Sequence, residues 1–280
     1  MDNKKIDALV NLLDDTDQEV ASIVENEIKN IGGDVIPLLE NHWEENAFNP
    51  LLQKKIEGII HELQNSKAIA RLTNWKSGDQ SDLLAGLWAV ASYQFPDLDL
   101  ETLRKDVQDI YMEAWLQMRD ELHPTDQIRI LNQVFFDKFN FRPNTSNYYS
   151  PANSMINQVL ETKRGNPISM CAIYMIVAQK LKLPVYGVSL PNLFVLTYKF
   201  KKFQVYINVF NRGVVFSRKD IENHIKQMNV PPSDIFFEPC TNEEIVKRTL
   251  RNLIYAYKKA AEMNKYEDAR RLLGVFEEGE

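Results

Sequence analysis

The stretch of residues 163–183, KRGNPISMCAIYMIVAQKLKL, limits the folds open to this chain more than any other segment. Gly165 and Asn166 are turn formers, and Pro167 suits the first position of a helix, where its missing N–H needs no partner. Residues 168–178 are apolar except for Ser169, so the sequence predicts a helix that is buried on nearly every face. The run is far shorter than the roughly 20 residues that span a bilayer, which indicates the core of a globular protein.

Strand signals begin directly after Pro184. Residues 185–190, 193–200, 203–210 and 214–216 alternate in hydrophobicity or are rich in β-branched and aromatic side chains. Short polar turns separate these segments, and short turns join antiparallel strands. The sequence therefore predicts an α+β fold, in which a buried helix precedes an antiparallel sheet.

Helices are predicted on both sides of this core. Residues 1–65 carry four apolar stripes at helical spacing, which fits either HEAT-type repeats or a plain bundle, and the sequence leaves the two open. The polar segment 64–80 is predicted to be a joint between domains, and two stripes within residues 242–279 predict a tetratricopeptide-like hairpin. Other helices are predicted at residues 83–93, 103–122, 123–139, 154–162 and 218–228. The predicted domains are a helical module at 1–75, the α+β core at 76–235 and the helical hairpin at 236–280.

The composition excludes several classes of function. A chain of 280 residues with 44% hydrophobic and 26% charged residues is typical of a globular protein of one or two domains. A net charge of −6 argues against nucleic-acid binding, and no segment is long and apolar enough to span a membrane. The two cysteines and four widely spaced histidines give no metal-ligand spacing, and no cofactor is predicted. Sparse cysteines without a signal peptide predict a cytoplasmic protein.

Several motifs in fixed order carry a resemblance to a known family. They are residues 140–144 (NFRPN), 149–161 (YSPANSMINQVLE), 164–170 (RGNPISM), 183–188 (LPVYGV) and 191–194 (PNLF). The chain resembles the transglutaminase-like superfamily, and within it the SirB-type branch, which joins such a core to C-terminal tetratricopeptide helices. The resemblance covers residues 80–280, leaves residues 1–65 outside, and implies a papain-like arrangement of buried helix and antiparallel sheet.

The resemblance also implies that the catalytic residues are lost. Enzymes of this layout need a cysteine at the helix N-terminus, a histidine as base, and an acid or amide that orients the histidine. In the resemblance, the cysteine of the family's G-x-C motif corresponds to Pro167, and the histidine of its P-G-H-F motif corresponds to Leu193. The orienting acid corresponds to Asn208. We expect these three residues to line one pocket between the helix and the sheet.

Two other side chains could act as an unconventional nucleophile. Ser169 lies in the first helical turn, but its hydroxyl is expected to bond a free backbone N–H there. Cys171 lies further along the helix, where a buried thiol behaves as a small hydrophobe. Arg164 could clamp a carboxylate, although a surface arginine more often forms an ion pair. The predicted cleft-binding residues are Asn153, Arg164, Asn166, Ser169 and Asn192.

The sequence therefore favours a non-catalytic transglutaminase-like protein that binds a protein or peptide partner as a scaffold. The competing hypothesis is an amide hydrolase or acyltransferase that uses Ser169 or Cys171, and a third is a regulator that holds a peptide or small ligand in the cleft. An enzyme needs a nucleophile, a base and oxyanion donors around one reaction centre, whereas a binding module needs only a groove or apolar patch. The oligomeric state is left open.

Overall fold

The computed structural model of the chain describes residues 3–15, 17–119, 121–231 and 233–277. The chain forms two compact units, Met1–Arg71 and Leu72–Glu280. The second unit combines helices with a four-stranded sheet, so the predicted α+β class is confirmed. The predicted division of this unit at residue 235 stays a prediction, as does the HEAT-like character of the first.

The first unit is helical. Its elements are α1 (Asn3–Leu12), α2 (Gln18–Ile31), α3 (Ile36–Glu45) and the first part of α4 (Pro50–Ser77). The Asp17 side chain accepts a hydrogen bond from the Glu19 N–H and so begins α2. The apolar stripes of these helices meet in one buried cluster that includes Ile6, Val10, Ile28, Leu39 and Ile56.

The boundary between the two compact units, at Arg71, falls inside the segment 64–80 that was predicted as a domain joint. The chain is helical there, because α4 continues to Ser77. Ala68, Leu72 and Trp75 are buried at helical spacing, and this sparse stripe is enough to stabilise the helix although its other residues are polar. Trp75 also donates from its indole N–H to the Asp82 carbonyl at 2.8 Å, which fixes the turn that follows.

The second unit contains the remaining helices. They are α5 (Leu83–Ala91), α6 (Leu100–Trp115), α7 (Pro124–Asn132), α8 (Ile156–Thr162), α9 (Pro167–Lys180), α10 (Arg218–Gln227), α11 (Asn242–Ala260) and α12 (Met263–Gly274). Asp99 caps α6 by accepting a hydrogen bond from the Glu101 N–H, so this helix begins at Leu100, before the predicted residue 103. It ends at Trp115, well before the predicted residue 122. Helix α7 continues into a π-helical segment, Gln133–Lys138, which the sequence pattern did not indicate.

The main sheet is antiparallel and follows chain order. Its strands are β3 (Val185–Leu190), β4 (Leu193–Phe200), β5 (Phe203–Asn208) and β6 (Val214–Phe216), after the two-residue parallel pair β1 (Arg142–Pro143) and β2 (Arg164–Gly165). The predicted strand 203–210 ends at Asn208, because Asn208 Oδ1 accepts from the Asn211 N–H at 3.1 Å and turns the chain into a short 3₁₀ helix.

Both faces of this sheet are covered. Leu190 pairs with Leu193 and Val188 with Val195, so these four side chains share one face, where they pack in a cluster with Ile221 and Ile225 of α10. Phe194 lies on the opposite face, toward α9 and α11. The Cys171 thiol of α9 contacts the Phe194 carbonyl, with 3.7 Å between sulfur and oxygen.

The last two helices belong to the core of the second unit. Helix α11 packs against α5, α9 and the 3₁₀ segment Pro151–Ser154. The Tyr93 hydroxyl donates to the Tyr257 hydroxyl at 2.6 Å, and both rings are buried. Burial raises the pKa of both phenols, so the pair stays neutral and hydrogen-bonded at ordinary pH.

Candidate functional site

The N-terminus of α9 is fixed by a reciprocal cap. Asn166 Oδ1 accepts from the Ser169 N–H at 3.0 Å, and Ser169 Oγ accepts from the Asn166 N–H at 3.1 Å. The Asn166 amide nitrogen donates to Ser154 Oγ at 2.7 Å, which ties the helix to the preceding 3₁₀ segment. Ser169, only 2% exposed, is therefore part of the helix cap. None of the hydrogen-bond partners of its hydroxyl among the described residues is a histidine or a carboxylate that could act as a base.

Neither cysteine has the environment of a nucleophile. Cys171 is fully buried inside α9, and burial raises the pKa of its thiol far above that of a free cysteine. Cys240 is partly exposed, and burial raises its pKa to about 11. Reactive cysteines need the opposite shift, because the thiolate is the nucleophile.

We expect iodoacetamide at neutral pH to modify Cys240 before Cys171 in the folded protein, and both more slowly than in urea. The reason is that the Cys171 sulfur has no solvent access and neither thiol ionises readily. Peptide mass spectrometry over time gives the two rates. Rapid modification of Cys171, ahead of the urea control, would contradict the structural role and support the enzyme hypothesis.

A cavity of about 260 Å³ lies at the N-terminus of α9. The loop before α8, the head of α9, the β3–β4 turn and one face of α11 form its walls. Its lining residues are Tyr148, Tyr149, Ser150, Ser154, Asn166, Pro167, Ile168, Asn192, Phe194, Arg248, Asn252, Tyr255 and Ala256. The walls therefore combine aromatic rings with amide and hydroxyl groups, as in sites that bind organic ligands.

Arg248 supplies the formal charge in this cavity. Its Nη1 donates to Ser189 Oγ at 2.6 Å and to the Leu190 carbonyl at 3.2 Å, and the guanidinium lies 5.5 Å from the centre of the Phe194 ring. Among the described residues that line the cavity there is no aspartate or glutamate. The positive end of the α9 dipole faces the same space, so its electrostatic potential favours an anion.

The structure brings together only some of the predicted cleft residues. Asn166, Asn192 and Pro167 line the cavity. Asn153 is buried beside it, where its amide nitrogen donates to the carbonyls of Asn147 and Tyr148 and so holds the aromatic loop in place. Arg164 is exposed on β2 and is not among the described residues that line the cavity.

The expectation that Pro167, Leu193 and Asn208 line one pocket is wrong. Leu193 packs with the cluster on the α10 face of the sheet, whereas Pro167 lies at the head of α9, on the other side. The Asn208 side chain caps the 3₁₀ turn after β5. The correspondence of these positions to a lost triad rests on the sequence resemblance and stays a prediction.

The sequence did not identify Arg248, Asn252, Tyr255, Tyr148 or Tyr149 as site residues. Arg248, Asn252 and Tyr255 are three or four residues apart in α11, which places them on one helix face. That polar face was a usable signal, but its position over the α9 terminus depends on tertiary packing. Tyr148 and Tyr149 lie in a loop whose path depends on Asn153.

The described part of the chain offers no cluster of three histidine, cysteine, aspartate or glutamate side chains that could hold a metal ion. Among the same residues, no helix is long and apolar enough to cross a membrane.

The fold and this cavity agree with the family comparison. The model of the transglutaminase-like superfamily matches residues 101–251, which is more than half of the chain. The chain belongs to the transglutaminase-like superfamily.

Proteins similar to this chain in sequence occur in bacteria and animals. The chain is 27% identical over 200 residues to a UPF0162 protein of Xylella fastidiosa, covering 68% of each chain. It is 34% identical over 90 residues to a UPF0162 protein of Pasteurella multocida, covering 32% of this chain and 34% of that one. F-box only protein 21 of Mus musculus is 30% identical over 134 residues, 45% of this chain but 20% of its own. No solved structure is significantly similar to the chain.

Proposed function

We propose that this protein is a non-catalytic member of the superfamily, of the SirB type, and that it binds a peptide segment of a partner in the cavity at the head of α9. The observation that carries the proposal is that Pro167 occupies this helix terminus, while the nearby Ser169 hydroxyl is held in the helix cap. A site of this kind retains a shaped pocket without a nucleophile and base.

The walls of the cavity suit a peptide. The amide side chains of Asn166, Asn192 and Asn252 can donate to peptide carbonyls and accept from peptide N–H groups. Tyr149 and Tyr255 stand with ring centres 5.6 Å apart and offer aromatic surface to a ligand side chain. The free thiols of Cys171 and Cys240 support a reducing compartment, and we propose the cytoplasm.

The competing enzyme hypothesis has no comparable support. Ser169 would have to leave the cap that begins α9, and Cys171 would have to ionise inside a helix buried on all sides. Either step costs free energy before any reaction begins. A hydrolase or acyltransferase using these residues is therefore the weaker candidate.

The test is retention of a degenerate octapeptide pool on the immobilised full-length protein, read by mass spectrometry. Ser150→Trp and Asn252→Trp fill the cavity from the loop before α8 and from α11, and both should reduce retention several-fold, because each places an indole in a space of about 260 Å³. Ser146→Trp is the matched control, since Ser146 is exposed on the same loop and lies outside the described lining.

Peptides should be released with unchanged masses. Equal retention by wild type and both filled variants would contradict binding in this cavity. Cleaved or joined peptides that disappear with Ser169→Ala or Cys171→Ala would replace the binding proposal with the enzyme.

A further inference from the structure

Arg248 has no carboxylate partner among the residues that the structure describes. Its contacts to Ser189 and Leu190 use Nη1, and the N–H groups on Nε and Nη2 have no hydrogen-bond partner among the described residues. Burial lowers the pKa of the guanidinium below its usual range, and the nearby Arg251 lowers it further. A bound anion would supply this missing interaction.

The cation is also held in one place. The two bonds from Nη1 and the packing over the Phe194 ring fix the guanidinium plane at the cavity wall. Its Nε–Nη2 edge presents two parallel N–H groups, a geometry that matches the two oxygens of a carboxylate. Because the side chain is positioned before binding, little rotamer entropy is lost when a carboxylate arrives.

Positive charge continues beyond the cavity along α11. We call Arg248, Arg251, Lys258 and Lys259 the basic face, since they recur at helical spacing on one side of this helix. Lys259 lies 3.5 Å from the centre of the Tyr149 ring, at the rim of the cavity. The partner of Arg251, Glu244, is at 4.0 Å, the outer limit of an ion pair.

A second cavity, of about 570 Å³, lies beside the first between α11 and α12, and Tyr255 lines both. Among the described residues of its walls, arginine and lysine outnumber acids, with Arg251, Lys258, Arg270 and Arg271 beside Glu267 and Glu277. The chain as a whole carries a net charge of −6, so this is a local concentration of positive charge. It complements an acidic ligand that extends out of the first cavity.

We propose that the cavity binds a carboxylate group of an acidic peptide on Arg248, and that the flanking residues of this peptide lie along the basic face of α11. The inference rests on the proposed peptide-binding function and names the class of peptide. The carboxylate can come from the peptide C-terminus or from an aspartate or glutamate side chain, since both present the same two oxygens.

The test compares fluorescein-labelled degenerate octapeptide pools on the immobilised full-length protein. One pool has a neutral body and a free C-terminal acid, a second has the same body with a C-terminal amide, and a third has an amide with aspartate and glutamate in the body. Wild type should retain about ten times as much of at least one acid-bearing pool as of the neutral amide pool. This is the effect expected of a charge-assisted hydrogen bond. The first pool identifies a C-terminal source and the third a side-chain source.

Arg248→Gln should remove this preference, because glutamine keeps a donor for Ser189 but carries no charge. Arg248→Lys keeps the charge without the planar edge and should reduce the preference in part. Arg164→Gln is the matched control, since Arg164 is an exposed arginine outside the described lining, and should retain the full preference. Melting curves show whether each variant is folded.

The outcomes separate the two proposals. Retention of all pools without preference for an acid would overturn the carboxylate assignment and leave peptide binding intact. Retention of no pool by wild type would overturn both. An acid preference that persists in folded Arg248→Gln would contradict the role of Arg248 and assign the carboxylate to other residues. An acid preference in Arg248→Lys equal to that of wild type would do the same.

Discussion

Deletion of residues 241–280 is expected to lower the melting temperature of the remaining chain by about 10 °C or more, or to leave it insoluble. Helix α11 buries Ile245, Val246, Leu250 and Leu253 against α5, α9 and the segment before α8, and its loss exposes apolar surface on all three. The deletion also leaves the buried Tyr93 hydroxyl without Tyr257. Circular dichroism melts of the full-length and shortened chains give the shift.

A single substitution tests how much the same interface contributes to stability. Leu253 is completely buried, so Leu253→Ala should lower the free energy of unfolding by about 3 kcal/mol, within the range for large cavities in a core. Met263, in the same hairpin, is 53% exposed. Met263→Ala should therefore change the free energy of unfolding by about 0.5 kcal/mol or less. An unchanged melt after the deletion, or equal effects of the two substitutions, would show that the hairpin is an appendage without a structural role.

The sequence predicted the centre of the fold because its signals there are local. Asn166, Pro167 and Ser169 form a helix start that depends on neighbouring residues only, and α9 begins at the predicted position. The strands β3, β4 and β6 have their predicted bounds, since short turns and β-branched residues separate them. The family assignment followed from motifs at these same places.

The face of the sheet on which a side chain lies was not predictable in the same way. A sheet covered on both faces has apolar residues at successive positions, so alternation does not indicate which of Leu193 and Phe194 faces α9. The two-residue turn that pairs Leu190 with Leu193 decides it, and a shift of one residue would exchange the faces. The predicted convergence of Leu193 with Pro167 failed for this reason.

The sequence did not predict Arg248 as a cavity residue, for a different reason. Arg248 follows Asn166 by a long stretch of chain, and only the packing of α11 against α9 and the 3₁₀ segment before α8 brings the two together. In sequence, Arg248 is one basic residue among several in an amphipathic helix, where a solvated position is the usual interpretation. Arg164, which is adjacent to the central motif, was the more obvious candidate for a carboxylate clamp, yet it lies outside the described lining.

The substitution Pro167→Cys is expected to create the most reactive thiol in the protein, with a pKa at least about one unit below the 8.5 of a free cysteine. Position 167 is half-buried at the first turn of α9 and lines the same cavity as Arg248, so the helix dipole and the guanidinium both favour the thiolate. The rate of modification by iodoacetamide as a function of pH gives this pKa, with peptide mass spectrometry separating the new site from Cys171 and Cys240.

Lys180→Cys is the matched control, because residue 180 is exposed at the opposite end of the same helix, where the dipole disfavours a thiolate. Its thiol should have a pKa of about 8.5 or higher. Addition of Leu193→His and Asn208→Asp to Pro167→Cys should not lower the pKa further, since Leu193 packs on the α10 face of the sheet. If the thiol pKa of a folded triple variant were markedly lower still, an imidazole would have to lie beside the new thiol. That result would support the predicted triad geometry and contradict the placement of Leu193 on the α10 face of the sheet. An ordinary pKa for Pro167→Cys alone would contradict the positive potential on which the carboxylate site depends.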